Sequence, residues 1–216
     1  MPRTDVPKTV HNYLTPIMRR FRAARMRQFA AMCHVRPDSR VLDVGGTPFN
    51  WELSPVRPQV TLLNVEDPNY DLPSDMRFVR GDGCALQFGT GEFDIVYSNS
   101  VIEHVSTLER QRQFADECAR VGRSYYVQTP NRYFPLEPHL VTPFVHWLPR
   151  AWQRPLIRNG TVWGLVRRPD AAATAWYDDV RLLTASELRQ LFPGATIVAE
   201  HFMGLTKSLI AIRAVS

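Results

Sequence analysis

Cysteine is scarce in this chain. Cys33, Cys84 and Cys118 are the only three among 216 residues, odd in number, scattered and without a C-x-x-C spacing. That argues against a disulfide framework and against a thiolate metal site, and it fits a reducing cytoplasm. Long apolar runs are missing as well. The stretch from Met1 to Lys8 lacks the apolar centre of a secretory signal, and no later segment approaches the length of a bilayer span. A soluble, cytoplasmic protein is therefore expected. Glycine is absent at two places where it would matter, because a G-x-G-x-x-G cradle for a pyrophosphate beginning at Gly45 would need it where Thr47 and Asn50 stand. A dinucleotide site fails on both counts.

What is present suits one domain. At 216 residues and 44% apolar content the chain can bury a single α/β core plus an accessory segment. The expected organisation is one domain over 1–216, with an N-terminal helical segment at 1–37 and an inserted segment at 130–179. Lysine and arginine outnumber aspartate and glutamate by 26 to 21, and Arg19, Arg20, Arg22, Arg25 and Arg27 cluster in one stretch. Such a cluster can attract an anionic surface or nucleic acid, but charge blocks usually mark a wet face, and solvation of one helix is the preferred reading.

From about Thr15 to Cys33, the residues Ile17, Phe21, Ala24, Met26, Phe29 and Met32 recur at spacings near three and four, which predicts an amphipathic helix. Short apolar runs follow at Val41–Val44, Val60–Val65, Arg77–Val79, Phe93–Tyr97 and Tyr125–Val127, with crossovers between most of them. Their alternation implies a largely parallel sheet covered on both faces. Leu108 to Val121 reads as a surface crossover helix, and Thr184 as the N-cap of another that runs through Leu191. Two final runs, Thr196–Ala199 and Ser208–Ile212, can pair as a hairpin through Gly204. Between Pro130 and Asp179 the texture changes: seven prolines interrupt it, and Trp147, Trp152, Trp163 and Trp176 load it with aromatics. The segment is too apolar for a disordered linker and sits where open α/β proteins bind ligands, so it reads as a cap that shapes an acceptor pocket.

The chemistry begins at Arg40-Val41-Leu42-Asp43-Val44-Gly45-Gly46. Backbone without side chains lets a ligand come close at the turn, and the neighbouring carboxylate favours a cationic one. Glu66 follows at the end of the second run, Gly81-Asp82-Gly83 after the third, and Phe93-Asp94-Ile95-Val96-Tyr97-Ser98 forms the fourth. Together, over residues 38–129 and more weakly in the terminal hairpin, this order resembles a class I S-adenosylmethionine-dependent methyltransferase. The resemblance implies a Rossmann-like α/β fold: a mostly parallel seven-stranded sheet with helices on both faces, a C-terminal antiparallel hairpin and a cap inserted after the fifth strand. It also implies S-adenosyl-L-methionine as cofactor. Gly45 and Gly46 would let the donor pack against the turn, and Asp43 would orient that turn or accept from the methionyl ammonium. Glu66, with Asn64 as the alternative in register, would accept from the ribose hydroxyls. Asp82, with Gly83 and the Cys84 backbone beside it, would meet the adenine amino group, and Ser98 and Asn99 would lie beside the sulfonium. For Asp43 and Asp82, turn capping is the competing role. The family usually has glycine where Thr47 stands, and Pro48, Pro55 and Pro58 shorten the first crossover, so Phe49, Asn50 or Trp51 would shape the methionine end.

Methyl transfer to an alcohol needs positioning and a base. His104, just past the fourth strand, is the first candidate and His139 the second, with helix capping as the competing role for His104. The stretch Ile102-Glu103-His104-Val105 resembles the ubiquinone-pathway O-methyltransferases and the small-RNA 2′-O-methyltransferases, whose corresponding Glu and His help bind a divalent metal. A Mg2+ or Mn2+ site on Glu103, His104 and His139 is implied by that likeness. Ser100 stands where those families carry another Glu, which weakens it, though Glu137 or His139 could complete an O/N site. Asn131 to His139 mixes aromatic faces with hydrogen-bonding groups and suits a small hydroxylated molecule or saccharide as acceptor. Two alternatives remain open: an RNA acceptor, favoured by net charge, and a non-catalytic donor-binding or membrane-peripheral protein, favoured by the interfacial character of Phe144 to Arg154.

Overall fold

Short apolar runs bury both faces only if helices cover them from either side. The computed structural model describes residues 8–68, 70–137, 142–161, 165, 177 and 179–215, with backbone alone for 8–18 and 150. The chain runs α1 (Lys8–Met32), β1 (Arg40–Val44), α2 (Pro48–Glu52), β2 (Gln59–Asn64), β3 (Met76–Arg80), β4 (Phe93–Asn99), α3 (Leu108–Val121), β5 (Gly122–Pro130), β6 (Leu136–Glu137), β7 (Thr142–Pro143), α4 (Arg150–Gly160), α5 (Ala185–Leu191), β8 (Thr196–Phe202) and β9 (Leu205–Arg213). Seven strands form one sheet in the order β3-β2-β1-β4-β5-β9-β8. The first five are parallel, while β9 is antiparallel to both neighbours. This is the Rossmann-like sheet with a terminal hairpin that the sequence implied.

Alternation along each strand sorts the core into two layers. Leu42, Val44, Val96, Tyr125 and Val127 face Phe114 and Cys118 of α3 and Leu188 and Leu191 of α5. Val41, Ile95, Tyr97 and Tyr126 face Met26 and Phe29 of α1 and Trp51 of α2. The second layer is aromatic at its centre, where Tyr97 stacks on Tyr126 with centroids 5.7 Å apart and Phe29 meets Trp51 edge-on at 6.1 Å. Truncating any of these rings to alanine would cost about 3–5 kcal/mol.

Several boundaries differ from the pattern in the sequence, three of them with a consequence. The first helix begins at Lys8 rather than near Thr15 and continues through Pro16. β4 extends to Asn99, and β5 occupies Gly122 to Pro130 rather than Tyr125 to Val127. In β5 the polar residues Ser124, Gln128 and Thr129 are buried, because the strand pairs with β4 on one side and β9 on the other; backbone pairing, not apolar content, sets its length. At α5 the expected cap is present in reciprocal form: the Glu187 amide donates to Thr184 Oγ1 at 3.2 Å and the Thr184 amide to Glu187 Oε2 at 2.8 Å. The hairpin turns on Met203 and Gly204, both at positive φ.

The arginines of α1 do not all solvate it. Arg20 and Arg27 are exposed, but Arg25 is buried, with Nε and Nη2 donating to the Glu200 carboxylate of β8 and Nη1 to Asn99 Oδ1 at the end of β4. Arg22 lies 5.2 Å from the Phe49 ring. Beyond β5, the accessory segment holds the small β6–β7 pair, a 3-10 turn at Val145–Trp147 and α4, with Val145, Ile157, Tyr177, Val180 and Leu182 as its own small core. It is tied to the main sheet where the Arg132 amide donates to the Leu183 carbonyl at 3.0 Å.

Candidate functional site

Parallel strands place their carboxyl ends along one edge, and the turns that follow them enclose a cavity there of about 720 Å³. The turn after β1 supplies Gly45, Thr47 and Phe49; β2 and the loop beyond it supply Asn64, Glu66, Asp67, Tyr70 and Asp71. Asp82 and Gly83 enter after β3, and Ser100, Val101 and His104 after β4. Of the residues singled out in the sequence, this brings together Gly45, Glu66, Asp82, Gly83 and His104.

The turn after β1 is built from inside. Gly45 has φ +75°, and a Cβ there would meet Val101 Cγ2 at 2.5 Å; a Cβ on Gly46 would lie 1.9 Å from Asp43 Oδ2. The glycine pair is thus required by Asp43 and Val101, so only Gly45 borders the cavity. Asp43 is fully buried and stands on the α1 side of the sheet, where the Trp51 Nε1–H donates to Oδ2 at 2.8 Å. Its Oδ1 has no hydrogen-bond partner among the described residues. Burial pushes this carboxyl up to about 7, with the Trp51 bond opposing. Of the two roles considered for Asp43, orienting the turn is the one its position allows.

Other candidates stand outside the cavity. Ser98 Oγ donates to the Val44 carbonyl at 3.0 Å within the sheet, and Asn99 accepts from Arg25 on the α1 side. Cys84 is buried with Sγ donating to the Arg110 carbonyl at 3.3 Å, while its amide donates to Asp82 Oδ1 at 2.9 Å. Asp82 also accepts from Arg110 Nη2 at 2.7 Å. Partial burial would raise the Asp82 carboxyl, but the Cys84 amide and the Arg110 guanidinium outweigh it and hold the group below the usual carboxylate range.

His104 closes a 3-10 turn at Ile102–His104 and borders the cavity beside Ser100 and Val105. Glu103 does not join it there: its carboxylate is buried and accepts from Thr129 Oγ1 at 3.1 Å. His139 lies outside the described residues. Among those residues no group of three His, Cys, Asp or Glu side chains is placed to hold a metal ion; the set implied by the local likeness includes His139, outside them.

Sequence reasoning missed most of the cavity's charge. Glu52, Glu66, Asp67, Asp71 and Asp82 border it, and among the described residues no lysine or arginine does. Asp67 and Asp82 have cationic neighbours outside the lining, in Arg80 at 3.6 Å and Arg110 at 2.7 Å. Such a lining favours a cationic ligand over a phosphate. The acid-rich run from Glu66 to Asp71 was a usable signal; the Asp43–Trp51 bond had none, because it depends on how α2 folds back.

Residues 51–124 match the model of the methyltransferase domain family. Among solved structures, a putative methyltransferase from an antibiotic biosynthesis pathway of Anabaena variabilis aligns with 81% of this chain at 12% identity and a TM-score of 0.54. A S-adenosylmethionine-dependent methyltransferase from Methanosarcina mazei aligns with 84% at 12% identity and 0.51. Residues 51–124 thus carry a methyltransferase domain, on a fold shared with S-adenosylmethionine-dependent methyltransferases. A complex of the Haloferax volcanii Trm112 methyltransferase activator with a putative methyltransferase also matches, over 88% of this chain and 92% of that one, at 15% identity and a TM-score of 0.53. The aligned region spans 63% of the Anabaena chain and 95% of the Methanosarcina one. At these identities the likeness is one of fold. No curated protein matches the sequence. The family implies S-adenosyl-L-methionine as donor, and an acid-lined cavity at the carboxyl edge fits a molecule that carries a sulfonium and an ammonium. Among the described residues, no helix is long and apolar enough to cross a membrane.

Proposed function

We propose that this methyltransferase methylates a hydroxyl of a small molecule or saccharide by in-line displacement. The donor supplies a methyl group on sulfur that is open to attack. The chain's own contribution is to hold the donor, align the acceptor and take its proton. Glu66, with Asn64 beside it, accepts from the ribose hydroxyls at the end of β2; Asp82, fixed by Arg110, and the backbone near Cys84 flank the base. Gly45 gives the aminoacyl end its close approach, over a turn that Asp43 and Trp51 hold in shape. His104 takes the hydroxyl proton as the oxygen attacks, and the accessory segment over 130–179 caps the acceptor. Cytoplasmic residence belongs to the same reading, supported by three free, buried cysteines.

The observation that carries the donor half is the acid lining without lysine or arginine. The acceptor half rests on His104 at the cavity wall and on the aromatic segment beyond β5. Calorimetry on folded protein should detect S-adenosylmethionine and its demethylated product but no comparable heat with NAD; silence with both methyl-donor forms overturns the donor reading. Labelled donor offered to sugars, phenols and RNA in parallel decides the acceptor, and label in RNA alone overturns the small-molecule assignment.

A further inference from the structure

The chain from Ser100 to Ser106 is strained at both ends: Ser100 has φ +57° and Ser106 φ +67°. A residue other than glycine keeps such a backbone only where its surroundings over-determine it, and such places cluster where chemistry is done. Between the two serines, the 3-10 turn brings His104 to the cavity wall.

Partners grip this segment along its length. At one end, the Gln128 carbonyl accepts from the Ser100 amide and Gln128 Oε1 from Ser100 Oγ, both at 3.0 Å, with Gln128 buried in β5. At the other, Ser106 Oγ donates to Asp179 Oδ1 at 3.1 Å. In the middle, Gln111 Nε2 donates to the Ile102 carbonyl at 3.0 Å, and the Arg181 amide donates to the Glu103 carbonyl at 2.7 Å. Gln111, fully buried near the start of α3, also donates from Nε2 to the Arg181 carbonyl at 2.9 Å and accepts at Oε1 from Arg181 Nη1 at 2.7 Å. Both amide protons and the oxygen are used, which fixes the carboxamide: turned over, its nitrogen would face a guanidinium and its oxygen two carbonyls. Arg181 continues to Glu187 of α5 and lies just before Leu183, where the accessory segment returns to the sheet.

Filling space alone would call for leucine or methionine at this position, because burying a carboxamide carries a desolvation cost that an apolar side chain avoids. The bonds of the Gln111 side chain serve the turn and the returning limb, and none serves α3. Gln111 does not border the cavity, so it acts through the turn rather than on a ligand. We propose that Gln111 is a positioning residue for His104. With Arg181 it fastens the turn that carries the imidazole to residues 179–183, so that the base and the limb of the accessory segment keep one fixed relation. In-line displacement needs that relation, because a base displaced by about 1 Å no longer meets the attacking hydroxyl as the methyl group transfers. The inference rests on His104 as the proton acceptor and on the accessory segment as the cap.

Gln111→Met keeps the side chain's length and removes all of its hydrogen bonds. Proton NMR of the ligand-free full chain follows the His104 ring, its signal identified by its loss in His104→Ala. In Gln111→Met that signal should shift or split, while the signals of His34 and His201 stay in place. Turnover on a sugar or phenol that takes label from the donor should fall about tenfold with the donor KM unchanged. In the double variant with His104→Ala, it should fall no further than in His104→Ala alone. Arg181→Met loses the guanidinium bonds to Gln111 and Glu187 but keeps the backbone ones. It should move the His104 signal in the same way by less, and it decides the matter if Gln111→Met does not fold. An unmoved His104 signal in folded variants, or losses that multiply in the double variant, overturns the proposal. Undiminished turnover in His104→Ala overturns the base itself, whatever the signal does.

Discussion

The two ends of the sheet's carboxyl edge are built on opposite principles. Around the donor cavity, Gly45 and Ser100 hold left-handed positions, and among the described residues the lining carries acids without lysine or arginine. Past β5, a phenylalanine holds a left-handed position, and the rings of Tyr133, Trp147 and Trp152 face outward. The first half is self-satisfied: Asp43, Gly46, Trp51 and Val101 account for one another. The second leaves its rings open to solvent.

That contrast can be broken most severely at Gly46. Alanine there sets a methyl against the Asp43 carboxylate, and urea unfolding should show a loss of about 3 kcal/mol or more, whereas glycine at Phe144 should cost nothing. A stable Gly46→Ala protein would mean that the turn is not held from within. His104→Ala should lower kcat by about 100-fold or more while product affinity by calorimetry stays unchanged; undiminished turnover would remove it as the base.

Asp43 gives a subtler test. Its folded value of about 7 lies above the ordinary 3.8, so its contribution is fully present below about pH 4 and is lost as pH rises through 7. Asp43→Asn still accepts from Trp51 and cannot ionise. Its urea midpoint should be nearly flat over that window, while the parent loses stability on the order of 2 kcal/mol. Parallel pH profiles would show that Asp43 is charged and compensated. Glu66→Gln should weaken S-adenosylmethionine about tenfold, the loss of one charge-assisted pair, with stability unaffected.

The sheet was legible because its signals are local. Val41 to Val44 and Phe93 to Tyr97 are apolar and β-branched or aromatic, and Thr184 with Glu187 announces its helix by spacing alone. Glu66, Asp82 and His104 meet at the cavity because each follows a strand, and in this topology strand ends converge. Ser98 and Asn99 follow the same rule yet face away, since a strand alternates its side chains and periodicity does not say which face the ligand takes. The partner of Asp43 and the burial of Arg25 were not legible, for another reason. Their partners, Trp51 in one case and Asn99 and Glu200 in the other, are set by how a short helix folds back and how the last hairpin closes, neither of which a single stretch encodes.

The buried guanidinium of Arg25 joins the first helix to residues 74 and 175 positions later. A charge so enclosed is tolerated only with its carboxylate in place. During synthesis α1 therefore completes this ion pair only after β8 has been made.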